Sequence, residues 1–352
     1  MREFQNITGR RIRFAIVGCG RISKNHVEAL KKHAGEAELV AVCDVDPAAL
    51  AAAAQATGAE RYGRYEDLLA RSDADIVVLA TPSGLHAEQT ILAAQARKHV
   101  MTEKPMATHW QDGKRMVAAC DSAGVRLFVV KQNRRNATLQ LLKRAMDDNR
   151  FGRLYMVTVN VFWNRPQSYY DSGRWRGTWE FDGGAFMNQA SHYVDLLDWL
   201  CGPVESVQAY TATLARDIEV EDTGVMAVRW RSGALGTMSV TMLAYPKNFE
   251  GSITVFGERG TVRIGGVAVN EIQHWEFADK RAEDATIREA SYQTTSVYGF
   301  GHPLYYENVI KCLRGECEAE TDGREGLKTL ELLIATYLSA RDGRKVTLPL
   351  DY

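Results

Sequence analysis

Arg13-Phe14-Ala15-Ile16-Val17-Gly18-Cys19-Gly20-Arg21-Ile22-Ser23 is the stretch on which the fold turns. Its first five residues read as a short buried strand, and Arg21–His33 continues with helical periodicity. Between them Gly18 allows a tight turn, and Gly20 lets an anionic group approach the backbone at a helix N-terminus. Ser23 stands where a third glycine would permit close helix–strand packing. Alone, a GxGxxS turn is weak. Here it lies between a strand and a helix, and Asp44 follows 24 residues after Gly20, closing a second strand at Leu39–Cys43.

The pattern repeats outward. Asp46-Pro47 supplies an N-cap and a first-turn proline for an Ala-rich helix ending near Gly58. Further strands are expected at Asp75–Ala80, His99–Thr102 and Val125–Val130, with helices at Ala87–Arg97 and His109–Ser122. Alternating strands and helices predict a doubly wound parallel sheet, a Rossmann domain over residues 1–131. After about residue 150 the texture changes. Leu154–Trp163, Val204–Leu214, Thr223–Trp230, Gly236–Leu243, Ser252–Phe256 and Thr261–Ile264 follow one another as strands. They predict a second domain, 132–352, on a large, mainly antiparallel open sheet, so the class is α/β plus α+β. Helices at Ala190–Leu200, Pro303–Leu313 and Arg324–Arg341 would cover one face. The other face must be buried or polar, which points to self-association through it.

With 43 Lys+Arg against 44 Asp+Glu in 352 residues, no global field draws the chain to nucleic acid or membrane. Six scattered cysteines lack a CxxC pair or a histidine at zinc spacing, so no metal is expected. No secretion signal opens the sequence, and no uncharged stretch approaches the ~20 residues of a membrane span. The expectation is a cytoplasmic protein acting on a small molecule.

A dinucleotide would contact Gly18, Cys19, Gly20, Arg21 and Ile22. The Asp44 carboxylate accepts both hydroxyls of an adenosine ribose and repels a 2′-phosphate. No Arg follows in Asp44-Val45-Asp46, so NAD is expected rather than NADP. The next strand ends in Ala80-Thr81-Pro82-Ser83-Gly84-Leu85-His86. Strand C-termini line the ligand crevice of such a sheet, so Thr81, Pro82, Ser83 and His86 are expected beneath the dinucleotide, although His86 could instead cap the following helix.

Thr102-Glu103-Lys104-Pro105, placed after these segments, resembles the EKP motif of the Gfo/Idh/MocA oxidoreductase family. Gly183-Gly184-Ala185-Phe186-Met187-Asn188-Gln189-Ala190-Ser191-His192 resembles that family's second signature, GG-x(3)-D/N-x(3)-H. The resemblance covers essentially the whole chain and implies NAD-dependent oxidation of a sugar secondary alcohol, with a tetrameric assembly. It implies Lys104 and His192 as the acid–base pair, with Glu103, Lys104, Gln132, Trp175 and Arg176 against the cofactor. A lysine near its ordinary ~10.4 is a poor base, and burial beside an oxidised nicotinamide would lower it. Asn188 and His192, four apart, are expected on one helix face. The family usually has Asp at the position of Asn188, so the division of work between Lys104 and His192 stays open, as does the isomer of the Lys104-Pro105 bond.

Three clusters bear on the substrate. Lys131-Gln132-Asn133-Arg134-Arg135-Asn136 reads as an anion site at a helix start or as a solvated basic linker. Trp163 to Trp179, with Arg165, Tyr169, Trp175 and Arg176, offers flat faces and guanidinium forks, or aromatic packing at a hinge. Tyr298-Gly299-Phe300-Gly301-His302 is a close-approach turn or a plain helix lead-in. The stretch WRGTWEFDGGAFMNQASHYVDLL, with YGFGH and GREG, is similar to one branch of the family, the UDP-N-acetylglucosaminuronate 3-dehydrogenases. That branch implies oxidation of C3 of a nucleotide-linked hexuronic ring to the 3-keto sugar. The substrate contacts it implies are Lys104, Lys131, Asn133, Arg134, Arg165, Tyr169, Asn188, His192, Tyr298 and His302. A dehydrogenase of free sugar or inositol, and a non-catalytic NAD sensor, are the alternatives.

Overall fold

Ile76-Val77-Val78-Leu79 has no exposed residue, as the middle strand of a parallel sheet covered on both faces requires. The computed structural model describes residues 4, 6–294, 297 and 299–350, so Tyr298 lies outside the described residues. The chain divides into two compact units, residues 1–131 with 302–330, and 132–301 with 331–352.

In the first unit β1 (Ile12–Val17), β2 (Ala37–Cys43), β3 (Glu60–Tyr62), β4 (Ile76–Leu79), β5 (His99–Thr102) and β6 (Leu127–Val129) form one parallel sheet in the order β3-β2-β1-β4-β5-β6. Between them run α1 (Ser23–Lys32), α2 (Pro47–Thr57), α3 (Tyr65–Arg71), α4 (His86–Gln95) and α5 (Trp110–Ala123). Asp46 caps α2 by accepting the Ala48 N–H at 2.9 Å, and Gly58 ends it at φ 71°. Register pairs Val17 with both Cys43 and Leu79, and Leu79 with Thr102. Gly18, Asp44, Ala80 and Glu103 therefore leave the sheet along one edge. The short β3 and α3 are too brief for periodicity to reveal.

The second unit opens with α6 (Ala137–Asp147), β7 (Leu154–Phe162), α7 (Gln167–Asp171) and α8 (Ser191–Cys201). Then come β8 (Val204–Ala212), β9 (Thr223–Trp230), β10 (Leu235–Thr241), β11 (Glu250–Gly257), β12 (Gly260–Gly265) and β13 (Glu271–Phe277). With β14 (Val346–Thr347) they form an eight-stranded sheet ordered β13-β12-β11-β7-β10-β9-β8-β14, in which only β7 and β10 are parallel. Gly224, Met226, Val228 and Trp230 face inward along β9, while Val225, Ala227 and Arg229 alternate outward.

One expectation is corrected. The segment 302–330, assigned by sequence to the second domain, packs in the first unit. Tyr305, Tyr306, Val309, Ile310 and Leu313 of α9 (His302–Arg314) join Phe14, Ile16 and Val130 in one core. Thr321 also covers the edge of β6, its carbonyl accepting the Val129 N–H at 2.9 Å. The division then falls inside α10 (Gly323–Asp342).

Candidate active site

The glycine-rich turn of the first unit is held from two sides. Gly18 has φ 92°, and a Cβ there would stand 2.6 Å from the Ala80 carbonyl oxygen, so only glycine fits between β1 and β4. Nothing lies within 4 Å of the Cβ position of Gly20, which leaves room for a pyrophosphate. Ser23 closes the turn by donating to the Gly20 carbonyl at 2.7 Å. Asp44 accepts the Cys19 N–H at 2.6 Å and the Asp46 N–H at 2.8 Å. Each oxygen keeps a lone pair for a ribose hydroxyl. Burial, then the Asp44 charge, pushes the Cys19 thiol up to about 12, so Cys19 serves as backbone, not as a thiolate. Arg21 is exposed and Ile22 half-buried beyond the turn.

Thr81 donates to Gln89 Oε1 at 2.6 Å, and Pro82 is half-buried. Ser83 is buried. His86, expected at the cofactor, is fully buried with ring nitrogens 3.0 Å from the carbonyls of both Pro105 and Thr81. Burial lowers its pKa, and a neutral ring donates to one of these two carbonyls, holding the segments from inside.

Glu103 is corrected likewise. Its carboxylate turns into the unit, where Oε1 lies 3.1 Å from His26 Nε2 and Oε2 accepts the Lys104 N–H at 3.2 Å. His302 Nε2 stands 3.8 Å from Oε1, an electrostatic rather than a hydrogen-bonding distance. His302 is buried inside the first unit, and its Nε2 has no hydrogen-bond partner there. Burial opposes ionisation of Glu103, but the His26 and His302 rings hold its pKa well below the usual carboxylate range. His26, Glu103 and His302 are the described residues whose ligand-capable atoms all come within 4.8 Å of one another. Lys104 is half-buried and joined to Pro105 by a cis bond. Lys131 Nζ donates to Thr329 Oγ1 at 2.8 Å within the same unit and is buried.

In the second unit, Asn188 and His192 do not share a helix face. Residues Ala185–Gln189 form a π-turn closed by Ala190 N–H to Ala185 O at 2.8 Å, and α8 begins only at Ser191. Asn188 donates to Asp182 Oδ1, while Gln132 Nε2 meets His192 Nε2 at 3.0 Å. With the amide donating, the imidazole Nε2 lone pair accepts this bond. Gln132 Oε1 and Asn133 Oδ1 are buried without hydrogen-bond partners, which fits a ligand-facing role. Arg134 is different. It gives two 2.7 Å bonds to Asp195 and lies over Trp199, so its fork is paired inside the unit. Gly301 lets the backbone pass the Gln132 carbonyl, 2.0 Å from where a Cβ would be.

Tyr169 gathers the remaining candidates. Its hydroxyl accepts from Arg176 Nη1 at 2.7 Å and from Gln189 Nε2 at 3.0 Å, while Arg165 Nε donates to Gln189 Oε1 at 2.8 Å. Arg176 lies over the rings of Tyr169 and Trp175 at 4.4 and 4.3 Å. Its Nε is buried without a partner, and no carboxylate pairs with it among the described residues. Gln189 was not anticipated, because an isolated amide in a motif spacer carries no signal. Glu221 and Tyr337 were missed for the same reason. Glu221 Oε1 accepts the Phe186 N–H at 2.9 Å and the Tyr337 hydroxyl at 2.8 Å, and Tyr337 accepts the Met187 N–H at 3.0 Å. Together they clamp the π-turn.

Sequence comparison matches residues 12–131 to the Gfo/Idh/MocA oxidoreductase family's NAD-binding Rossmann fold and 143–348 to its C-terminal alpha/beta domain. The WlbA dehydrogenase from Chromobacterium violaceum, solved with NADH and UDP-GlcNAcA, is 70% identical over 100% of both chains, with a TM-score of 0.96. That from Bordetella pertussis, in complex with the same two molecules, is 70% identical over 98% of this chain and 100% of its own, with a TM-score of 0.96. D-apiose dehydrogenase from Paraburkholderia graminis is 31% identical over 97% of this chain and 91% of its own length.

Proposed function

The chain belongs to the Gfo/Idh/MocA oxidoreductases, and we propose that it oxidises C3 of UDP-N-acetylglucosaminuronate to the 3-keto sugar with NAD. The observation that carries this reading is the full-length 70% identity to dehydrogenases solved with NADH and UDP-GlcNAcA. When bound, NAD accepts the hydride. Gly18, Gly20 and Asp44 would hold it through the pyrophosphate and the adenosine ribose.

The chain's own residues must take the hydroxyl proton as hydride leaves carbon. Lys104 and His192 are the acid–base groups of this proposal. Gln132 and Asn133 contribute unpaired amide oxygens to ligand binding, and Arg176 supplies an uncompensated guanidinium for carboxylate or diphosphate. A free-sugar dehydrogenase, as the D-apiose relative suggests, has no use for that charge. Copies of the chain would associate as a tetramer through the outward sheet face, where Tyr210, Val225 and Leu235 are 69%, 47% and 50% exposed. Among the described residues no helix is long and apolar enough to cross a membrane, and a cytoplasmic location completes the reading.

The test is NADH absorbance on mixing protein and NAD with UDP-N-acetylglucosaminuronate, D-apiose or myo-inositol. NADH formed with the nucleotide sugar alone is expected. Formation only with free sugars would discard the substrate assignment. Lys104→Ala should abolish turnover and leave NADH binding within about twofold, read by fluorescence titration.

A further inference from the structure

Lys104 carries the proposed proton transfer. Its peptide N–H is bonded to the Glu103 carboxylate, Oε2 at 3.2 Å, and that carboxylate is 5% exposed. A buried carboxylate is costly unless donors meet it. The donor is His26, which comes from α1 and lies outside both motifs. Its Nε2 stands 3.1 Å from Glu103 Oε1, and its Nδ1 stands 2.9 Å from the Tyr306 hydroxyl of α9. Tyr306 can donate to Nδ1, which places the imidazole proton on Nε2, pointing at Glu103. His302 closes the other side of Oε1, its ring edge-on to His26 with centroids 5.4 Å apart. His26 and Tyr306 are fully buried, so no water can replace either contact.

We propose that His26, backed by Tyr306, is a positioning residue that keeps Glu103 a carboxylate, and that this carboxylate fixes the backbone and electrostatic setting of Lys104. The inference rests on the reading of Lys104 as an acid–base group. Within the first unit, His26 of α1, His302 and Tyr306 of α9, and His86 of α4 are titratable groups that face the Glu103–Lys104 pair. Burial lowers the pKa of His86 and of His302, and lifts that of Tyr306 well above its ordinary value. The Glu103 anion favours the ammonium form of Lys104. Without the His26 donor, Glu103 takes up a proton, the Lys104 N–H loses its anionic acceptor, and Lys104 deprotonates more readily.

The experiment compares His26→Leu, His26→Gln and Glu103→Gln with the wild type, using NAD and UDP-N-acetylglucosaminuronate. His26→Leu should lower kcat by about tenfold, leave NADH affinity unchanged, and move the acidic limb of the kcat profile down by roughly half to one pH unit. Gln places an amide N–H near the imidazole Nε2 position, so His26→Gln should restore most of kcat and the limb. Glu103→Gln removes the charge directly and should shift the limb the same way. It decides the matter if His26→Leu does not fold. Stable variants with kcat and limb unmoved would overturn the proposal. So would stoichiometric zinc retained by the wild type through dialysis, because Glu103 Oε1 would then be a metal ligand. Lys104→Ala, run alongside, separates the two readings. Turnover retained there overturns the acid–base assignment and this proposal together. Turnover lost there, with an unmoved limb in His26→Leu and Glu103→Gln, overturns this proposal alone.

Discussion

Replacing Glu221 by Gln probes the clamp beneath the π-turn that carries Asn188. Burial raises the Glu221 pKa from its ordinary 4.5 to about 7, against the opposing bonds from Phe186 N–H and Tyr337 O–H. The folded protein therefore holds this proton more tightly than the unfolded chain. Stability from that difference is full below about 4.5 and is lost as pH rises through about 7. The whole gap is worth about 3 kcal/mol, of which about 2 kcal/mol falls between pH 5.5 and 8. Glutamine keeps the Oε1 acceptor and cannot ionise. Its amide takes the place of Oε2, which has no partner in the wild type, so any fixed cost is the same at every pH. Urea unfolding at pH 5.5 and 8 measures the difference. Six of the seven tryptophans lie in the second unit, so intrinsic fluorescence reports the right part of the chain. The wild type should lose about 2 kcal/mol more than Glu221→Gln over this range. Parallel losses, within about 0.5 kcal/mol, would refute a buried carboxyl titrating near neutrality.

Two other substitutions test the second unit. Asp195→Ala strips the bidentate partner from buried Arg134 and should destabilise the protein by about 3–5 kcal/mol, read in the same urea titration. A loss of substrate affinity with stability unchanged would instead return Arg134 to the ligand. Arg176→Ala should raise KM for the nucleotide sugar about tenfold while NADH affinity is unchanged, and an unaltered KM would remove Arg176 from anion recognition.

Most of the fold was legible because its signals are local. The Asp46-Pro47 start and Gly58 stop of α2, the apolar run of β4 and the alternation along β9 each report backbone periodicity and capping, which depend on neighbours a few residues away. Where this local accounting failed, a tertiary contact had overridden it. Asn188 and His192 have helical spacing, but the π-turn inserts a residue between the two segments and removes the shared face. Gly184 reads as half of a motif. Its physical reason lies 37 residues away, since a Cβ there would fall 1.7 Å from Glu221 Oε2.

The chemistry divides the same way. Residue type and order suffice for the dinucleotide turn, since Gly18, Gly20 and Asp44 act through main chain, φ and strand-end position, all set by a continuous segment. The same information cannot tell a ligand-facing charge from a paired one. Arg134, Glu103 and His302 read as site residues, and each faces a partner from a distant element, whereas Arg176 pairs with no carboxylate among the described residues. Charge in a protein is governed by whatever comes within a few ångströms after folding, and sequence separation places no limit on that.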